Sequence, residues 1–261
     1  RISDLDITPA QLALEPCSGS MVITDVNTGD TLALVSYPGY DTNRLANSID
    51  ADYYARLMND EARPMYSRAT QERTAPGSTY KMVSATAGLM EGVISLSTTV
   101  TCSGPFEKIT PSPHCHIYPG AHGNMNVISS IERSCNSFFY EMGYRLGSSG
   151  DSYKSERGTD TLAKYADMYG LSETSGLELE ESDPKLSTED AVRSSIGQGN
   201  NNFTTAQLAR YVTTVANSGT CYNLTLIDKI TDKNGTLLED RSAEVRNYVE
   251  MDESSWNAIH T

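Results

Sequence analysis

Apolar and polar residues alternate near both ends of the chain, and the spacing turns helical between them. Met21-Val22-Ile23-Thr24 and Leu32-Ala33-Leu34-Val35 are β-prone runs separated by the turn-rich Asp25-Val26-Asn27-Thr28-Gly29-Asp30. Residues 19–36 therefore predict a hairpin, ended by Tyr37-Pro38-Gly39. A second hairpin is expected near residues 222–238, where 223–230 pairs with Thr236-Leu237-Leu238 across Asp232-Lys233-Asn234-Gly235. Residues 78–91 read as a helix stopped by Gly92. Its apolar positions (Tyr80, Met82, Val83, Ala85, Ala87, Leu89, Met90) run nearly all round, which marks a buried helix. Further helices fit 126–133, 137–146, 159–169 and 204–217, with Gly147, Gly170 and Gly219 just beyond three of them. The polar stretch 148–158 reads as a surface loop. Strands at both ends with helices between them predict an α/β (α+β) fold, a sheet covered by helices.

A length of 261 residues suits one large domain or two small ones, and no repeat or linker divides it, so residues 1–261 are taken as a single domain. A formal net charge of -14 argues against nucleic acid, whose binding depends on Lys and Arg neutralising phosphates. It argues equally against adhesion to an anionic membrane surface. No stretch approaches the roughly 20 apolar residues that span a bilayer. The chain opens on Arg1 rather than Met and reads as cut from something longer, so an anchor is expected outside it.

Ser78-Thr79-Tyr80-Lys81 is a Ser-x-x-Lys tetrad. On a helix its two reactive residues share a face, which brings Lys81 within reach of the Ser78 hydroxyl. Serine is a weak nucleophile until a base takes its proton, and a buried lysine with a lowered pKa can be that base. Pro76-Gly77 places Ser78 at the first turn, where free N–H groups favour developing negative charge. The same tetrad at Ser182-Asp183-Pro184-Lys185 sits in an acidic, proline-containing segment unsuited to a catalytic helix. The second piece is Ser134-Cys135-Asn136, 56 residues after Ser78 and between two helical segments. A hydroxyl and a carboxamide two apart on a tight turn can face one cleft. Both are also good helix caps, and Ser255-Trp256-Asn257 shows the same spacing.

Order, spacing and flanking residues together change the picture. Arg68-Ala69 and the Pro76-Gly77-Ser78-Thr79 run, the segment SIERSCNSFFYEMG, the segment SSIGQGNNNFTTAQLARYVTTVANSGT and the opening GSMVITDVNTGDTLALVSYPGYDTN all resemble transpeptidase domains of penicillin-binding proteins. The resemblance covers roughly residues 17–261 and is closest to class B, elongation-type enzymes. It implies an antiparallel sheet covered by helices, with a mostly helical subdomain. It also implies a peptidoglycan D,D-transpeptidase in which Ser78 attacks the penultimate carbonyl of D-Ala-D-Ala stem peptides. Lys81 would be the acylation base, Ser134 would pass a proton to the leaving amine, and Asn136 would bind the substrate amide. The Ser78 N–H would be half of an oxyanion hole. β-Lactams would acylate Ser78. No catalytic cofactor is implied. A membrane glycosyltransferase partner and a place on the extracytoplasmic face of the bacterial membrane are implied for the longer protein. The alternatives are a D,D-carboxypeptidase, a β-lactam sensor, a β-lactamase-like domain, and, in another class, a non-catalytic scaffold of a cell-wall assembly complex.

The family's third motif, Lys-Thr-Gly, is absent, since Lys233-Asn234-Gly235 falls in a hairpin turn. Trp256 matches the helix that precedes that motif, so the chain reads as ending before it. Cys102, Cys115, His122 and Cys135 are separated by 13, 7 and 13 residues. Three thiolates and an imidazole suit a structural, tetrahedral zinc, and some elongation-type relatives look similar here. His116 and His114 compete as ligands. A Cys102–Cys115 disulfide and free thiols are the other readings. Cys17 and Cys221 read as small hydrophobes.

Overall fold

The structure, a computed structural model, describes residues 18–260. The chain opens with the expected hairpin, β1 (Gly19–Thr24) and β2 (Thr31–Tyr37), paired antiparallel with Met21 opposite Val35 and Val22 opposite Leu34. Two short helices follow, α1 (Ala51–Asn59) and α2 (Arg68–Gln71), then β3 (Arg73–Thr74) and α3 (Lys81–Met90). Next come β4 (Val100–Cys102), β5 (Gly123–Met125), α4 (Val127–Glu132) and α5 (Asn136–Gly147). A tight hairpin of β6 (Ser148–Ser149) and β7 (Ser152–Tyr153) leads into α6 (Ser155–Met168) and α7 (Ala191–Ser194). The last third holds β8 (Phe203–Thr204), α8 (Thr205–Ala216), β9 (Thr220–Tyr222), β10 (Lys229–Thr231), β11 (Leu237–Asp240), β12 (Val245–Tyr248) and α9 (Glu253–His260). Among the described residues every strand pairs antiparallel.

The core forms around α3, with Val83, Ala85 and Ala87 fully buried, and α5 and α6 pack against it. Phe138, Phe139, Tyr165, Tyr169, Phe203 and Tyr211 fill the space between the helices. Burying such a side chain is worth about 1.5–3 kcal/mol. The all-round apolar pattern of residues 78–91 thus reports real burial. The first turn differs from expectation, because residues 77–80 form a 3-10 turn and the α-helix begins at Lys81. The inner face of β1–β2 packs on α8, which is closed by a capping box between Thr204 and Gln207.

Three other expectations change. The 148–158 stretch is a β-hairpin followed by the first turn of α6, so that helix starts four residues earlier than its apolar spacing suggests. Gly147 is the last residue of α5 rather than a residue beyond it, where its lack of Cβ lets Tyr153 and Lys154 approach closely. The second hairpin is narrower than predicted: only Lys229–Thr231 pairs with Leu237–Asp240, around the turn at Asp232. Cys17 lies outside the described residues, while Cys221 is buried on β9 as a small apolar group.

Candidate active site

Ser78 sits in the 3-10 turn before α3, exposed, while Lys81 one turn on is 2% exposed. The turn starts at Gly77, whose φ of +56° is left-handed backbone that glycine adopts without strain. Facing it is the connection between α4 and α5. Asn126 and Ser129 close the start of α4 with a capping box, and Cys135 N–H bonds back to Ser130 O at 2.9 Å. This forces Ser134 into left-handed backbone, φ +51°, a conformation that costs a non-glycine residue about 1–3 kcal/mol. The result is that Ser134 and Asn136 both face Lys81.

The Lys81 Nζ donates to Asn136 Oδ1 at 2.7 Å, to Ser134 O at 2.8 Å and to Ser134 Oγ at 2.9 Å. Ser134 Oγ in turn donates to Ser78 Oγ at 3.1 Å. The expected direct Lys81–Ser78 hydrogen bond is not formed. The two connect through the Ser134 hydroxyl, because the long lysine side chain reaches across to the opposite connection. All three Lys81 acceptors are neutral oxygens, and among the described residues no carboxylate forms a salt bridge with it. Burial therefore lowers its pKa from 10.5 to about 8, against an upward pull from the Cys115 and Cys135 thiol groups. The Phe139 ring, 5.4 Å from Nζ, forms part of the wall that desolvates it. Phe139 was not among the sequence candidates, although its position three residues after Asn136 on one helix face was a usable signal. Neither chance match enters the site. Ser182 is tied to Thr70 O and Gln71 O, with Lys185 bridged to Asn202, and Ser255 in the first turn of α9 donates its N–H and hydroxyl to Asp252.

Cys102, Cys115, His122 and Cys135 converge, their ligand atoms all within 4.8 Å of one another. His122 Nδ1 lies 3.7 Å from Cys102 Sγ and 3.5 Å from Cys115 Sγ. A tetrahedral zinc with bonds of about 2.3 Å to sulfur and 2.0–2.1 Å to nitrogen places S and N about 3.6 Å apart, so the cluster has the right size. His116 reaches only Cys115, at 3.8 Å, and His114 stacks on Tyr118 instead. All four described cysteines are free thiols, so no Cys102–Cys115 disulfide is formed. Burial alone would raise the Cys102 thiol. The His122 N–H, the Ser137 hydroxyl and the Gly104 N–H outweigh it and bring the pKa to about 6. Burial and the neighbouring thiols push Cys135 up to about 12. Burial and mutual repulsion thus work against ionising Cys102 and Cys135 together without a cation between them.

A serine in an exposed turn, a buried amine of lowered pKa and a hydroxyl joining them form an arrangement suited to serine acyl transfer. The chain belongs to the family described as the penicillin binding protein transpeptidase domain, whose model matches residues 19–261. It is 30% identical over 222 residues to the peptidoglycan D,D-transpeptidase MrdA of Haemophilus influenzae, covering 79% of this chain and 32% of that protein. It is 30% identical over 226 residues to the peptidoglycan D,D-transpeptidase PbpA of Mycolicibacterium smegmatis, covering 82% and 44%. The fold is similar to that of Pseudomonas aeruginosa PBP2 in complex with WCK 5153, at a TM-score of 0.79 and 26% identity over 92% of this chain and 53% of that one. The chain thus spans less than half the length of these curated relatives.

Proposed function

We propose that this chain is a single transpeptidase domain, the acyl-transfer core of a peptidoglycan D,D-transpeptidase that is also acylated by β-lactams. The observation that carries the reading is the hydrogen-bonded sequence Lys81–Ser134–Ser78, with Asn136 on the same lysine. In acylation, the Ser78 oxygen attacks the carbonyl between the two D-alanines. Neutral Lys81 keeps two N–H donors for Ser134 O and Asn136 Oδ1 and turns its lone pair to Ser134 Oγ. The Ser134 hydroxyl then passes its proton to Lys81 as it accepts the Ser78 proton. The same route reversed protonates the leaving D-alanine amine as the C–N bond breaks. The Ser78 N–H, at the start of a helical turn, stabilises the oxyanion. A stem-peptide amine then takes the acyl group and frees Ser78.

Cys102, Cys115, His122 and Cys135 would hold a structural zinc, whose role is to bind the turn between Ser134 and Asn136 to the β4–β5 segment. Metal analysis, with a non-reducing mass to detect loss of two hydrogens, separates zinc from a disulfide. The curated relatives named as peptidoglycan D,D-transpeptidases support the substrate class. A structural relative at 28% identity, described as a peptidoglycan synthase complex coordinating polymerization and crosslinking, supports a membrane glycosyltransferase partner on the extracytoplasmic face. No helix among the described residues is long and apolar enough to cross a membrane.

The test is a donor peptide ending in D-Ala-D-Ala supplied with an acceptor amine. Release of D-alanine with a crosslinked product supports the transpeptidase, and hydrolysis alone indicates a carboxypeptidase. No turnover, with β-lactam hydrolysis instead, would contradict the reading.

A further inference from the structure

Residues 195–197 leave α7 and touch both elements that carry the site. Ser84 on α3, three residues after Lys81, donates its hydroxyl to Ser195 O at 2.7 Å. Ser195 Oγ donates to Phe139 O on α5, three residues after Asn136, at 2.6 Å. Ser84 and Ser195 are both fully buried. Two residues on, Gly197 O accepts the Gly77 N–H at 3.1 Å, at the turn that presents Ser78. Gly197 has a φ of +73°, and a Cβ there would lie 2.2 Å from Gly77 O and 2.7 Å from Gly77 N. Two left-handed glycine backbones are thus in direct contact behind the nucleophile. On the other side of the turn, the Tyr211 hydroxyl holds Thr79 O at 2.6 Å.

We propose that the 195–197 strap positions Ser78 against the helix bearing Asn136, with Gly197 as the positioning residue at which the contact is tightest; this rests on the acyl-transfer reading above. The strap touches α3 and α5 at once, so it sets the separation across which Ser134 reaches Ser78. That link is a single 3.1 Å hydrogen bond between two side chains. A side chain at 197 has to open the contact with Gly77 by about 1 Å, and a misplacement of that size costs about 10²-fold in rate.

Gly176 provides a control away from the strap. It also has left-handed backbone, φ +99°, and a Cβ there would lie 2.9 Å from Asn223 Cβ and 3.1 Å from Leu224 N, touching neither the strap nor the site. The experiment measures penicillin acylation of the full chain by rapid mixing and resolves the non-covalent Kd from the first-order acylation constant. Variants are Gly197→Ala, Gly176→Ala and the milder Ser195→Ala, each with its Tm. Gly197→Ala is expected to lower the acylation constant about 10²-fold with Kd unchanged, and Ser195→Ala about 3–10-fold. Gly176→Ala is expected to lose stability while keeping the wild-type constant. Equal constants in Gly197→Ala and Gly176→Ala would overturn the assignment. If Gly197→Ala does not fold, an unchanged constant in Ser195→Ala overturns it. Absence of any adduct on the wild type would instead overturn the serine reading itself.

Discussion

Acylation of Ser78 should rise tenfold per pH unit up to about pH 8 and level off above it. In the proposed acylation the base is Lys81 in its neutral form, and burial among neutral acceptors lowers its pKa to about 8. Protonation below that value removes the base. The rate should thus be about a tenth of its plateau at pH 7 and about a hundredth at pH 6. The structure also states how to move the limb. Asn136 Oδ1 lies 2.7 Å from the Lys81 Nζ, so Asn136→Asp places a carboxylate against the ammonium. An opposite charge at that range favours the charged form by about 1–3 pH units, so the limb should move upward by that amount. The assay is the second-order rate of labelling by a fluorescent penicillin from pH 5.5 to 9.5 at constant ionic strength. A profile with no inflection, or with one near the ordinary lysine value in the wild type, would refute Lys81 as a base tuned by burial. A limb unmoved in Asn136→Asp would refute the contact.

Ser134→Ala removes the hydroxyl between Lys81 and Ser78 and should slow acylation about 10²–10⁴-fold with little change in Tm, read by the same labelling. With a zinc held as proposed by Cys102, Cys115, His122 and Cys135, a chelator should lower Tm and acylation together, because Cys135 lies between Ser134 and Asn136; calorimetry beside labelling checks this. Gly88→Val should destabilise without touching the chemistry, since a Cβ there would lie 2.2 Å from Met142 Sδ and 3.0 Å from Ile94. Overpacking of this kind costs about 1–3 kcal/mol, and thermal unfolding should report about 2–4 °C per kcal/mol.

The residues that meet at the candidate site were legible because each is tied to a local signal. Ser78 and Lys81 share a helical face, and Ser134-Cys135-Asn136 falls in the break between two helical patterns. The acceptor that Lys81 chooses was not legible. Spacing of three places two residues side by side, yet a long side chain can reach a partner 53 residues away, as Nζ does at Ser134. The cysteine spacing singled out His122 with His116 and His114 as competitors, and the folded β4–β5 segment brings His122 onto two thiols. α1 went unpredicted although Tyr53, Tyr54, Leu57 and Met58 recur at helical spacing and Asp50 caps its start, two signals that a sequence reading could have noticed. The strap at 195–197 was invisible for a different reason. Its links to Gly77, Ser84 and Phe139 run through backbone atoms 56 to 120 residues away in the chain, which no side-chain pattern encodes.

Intact-protein mass spectrometry after incubation with a penicillin tests whether Ser78 is the nucleophile. A mass gain of one drug molecule is expected on the wild type and none on Ser78→Ala. An equal adduct on both, or an adduct mapped to another residue, would contradict it.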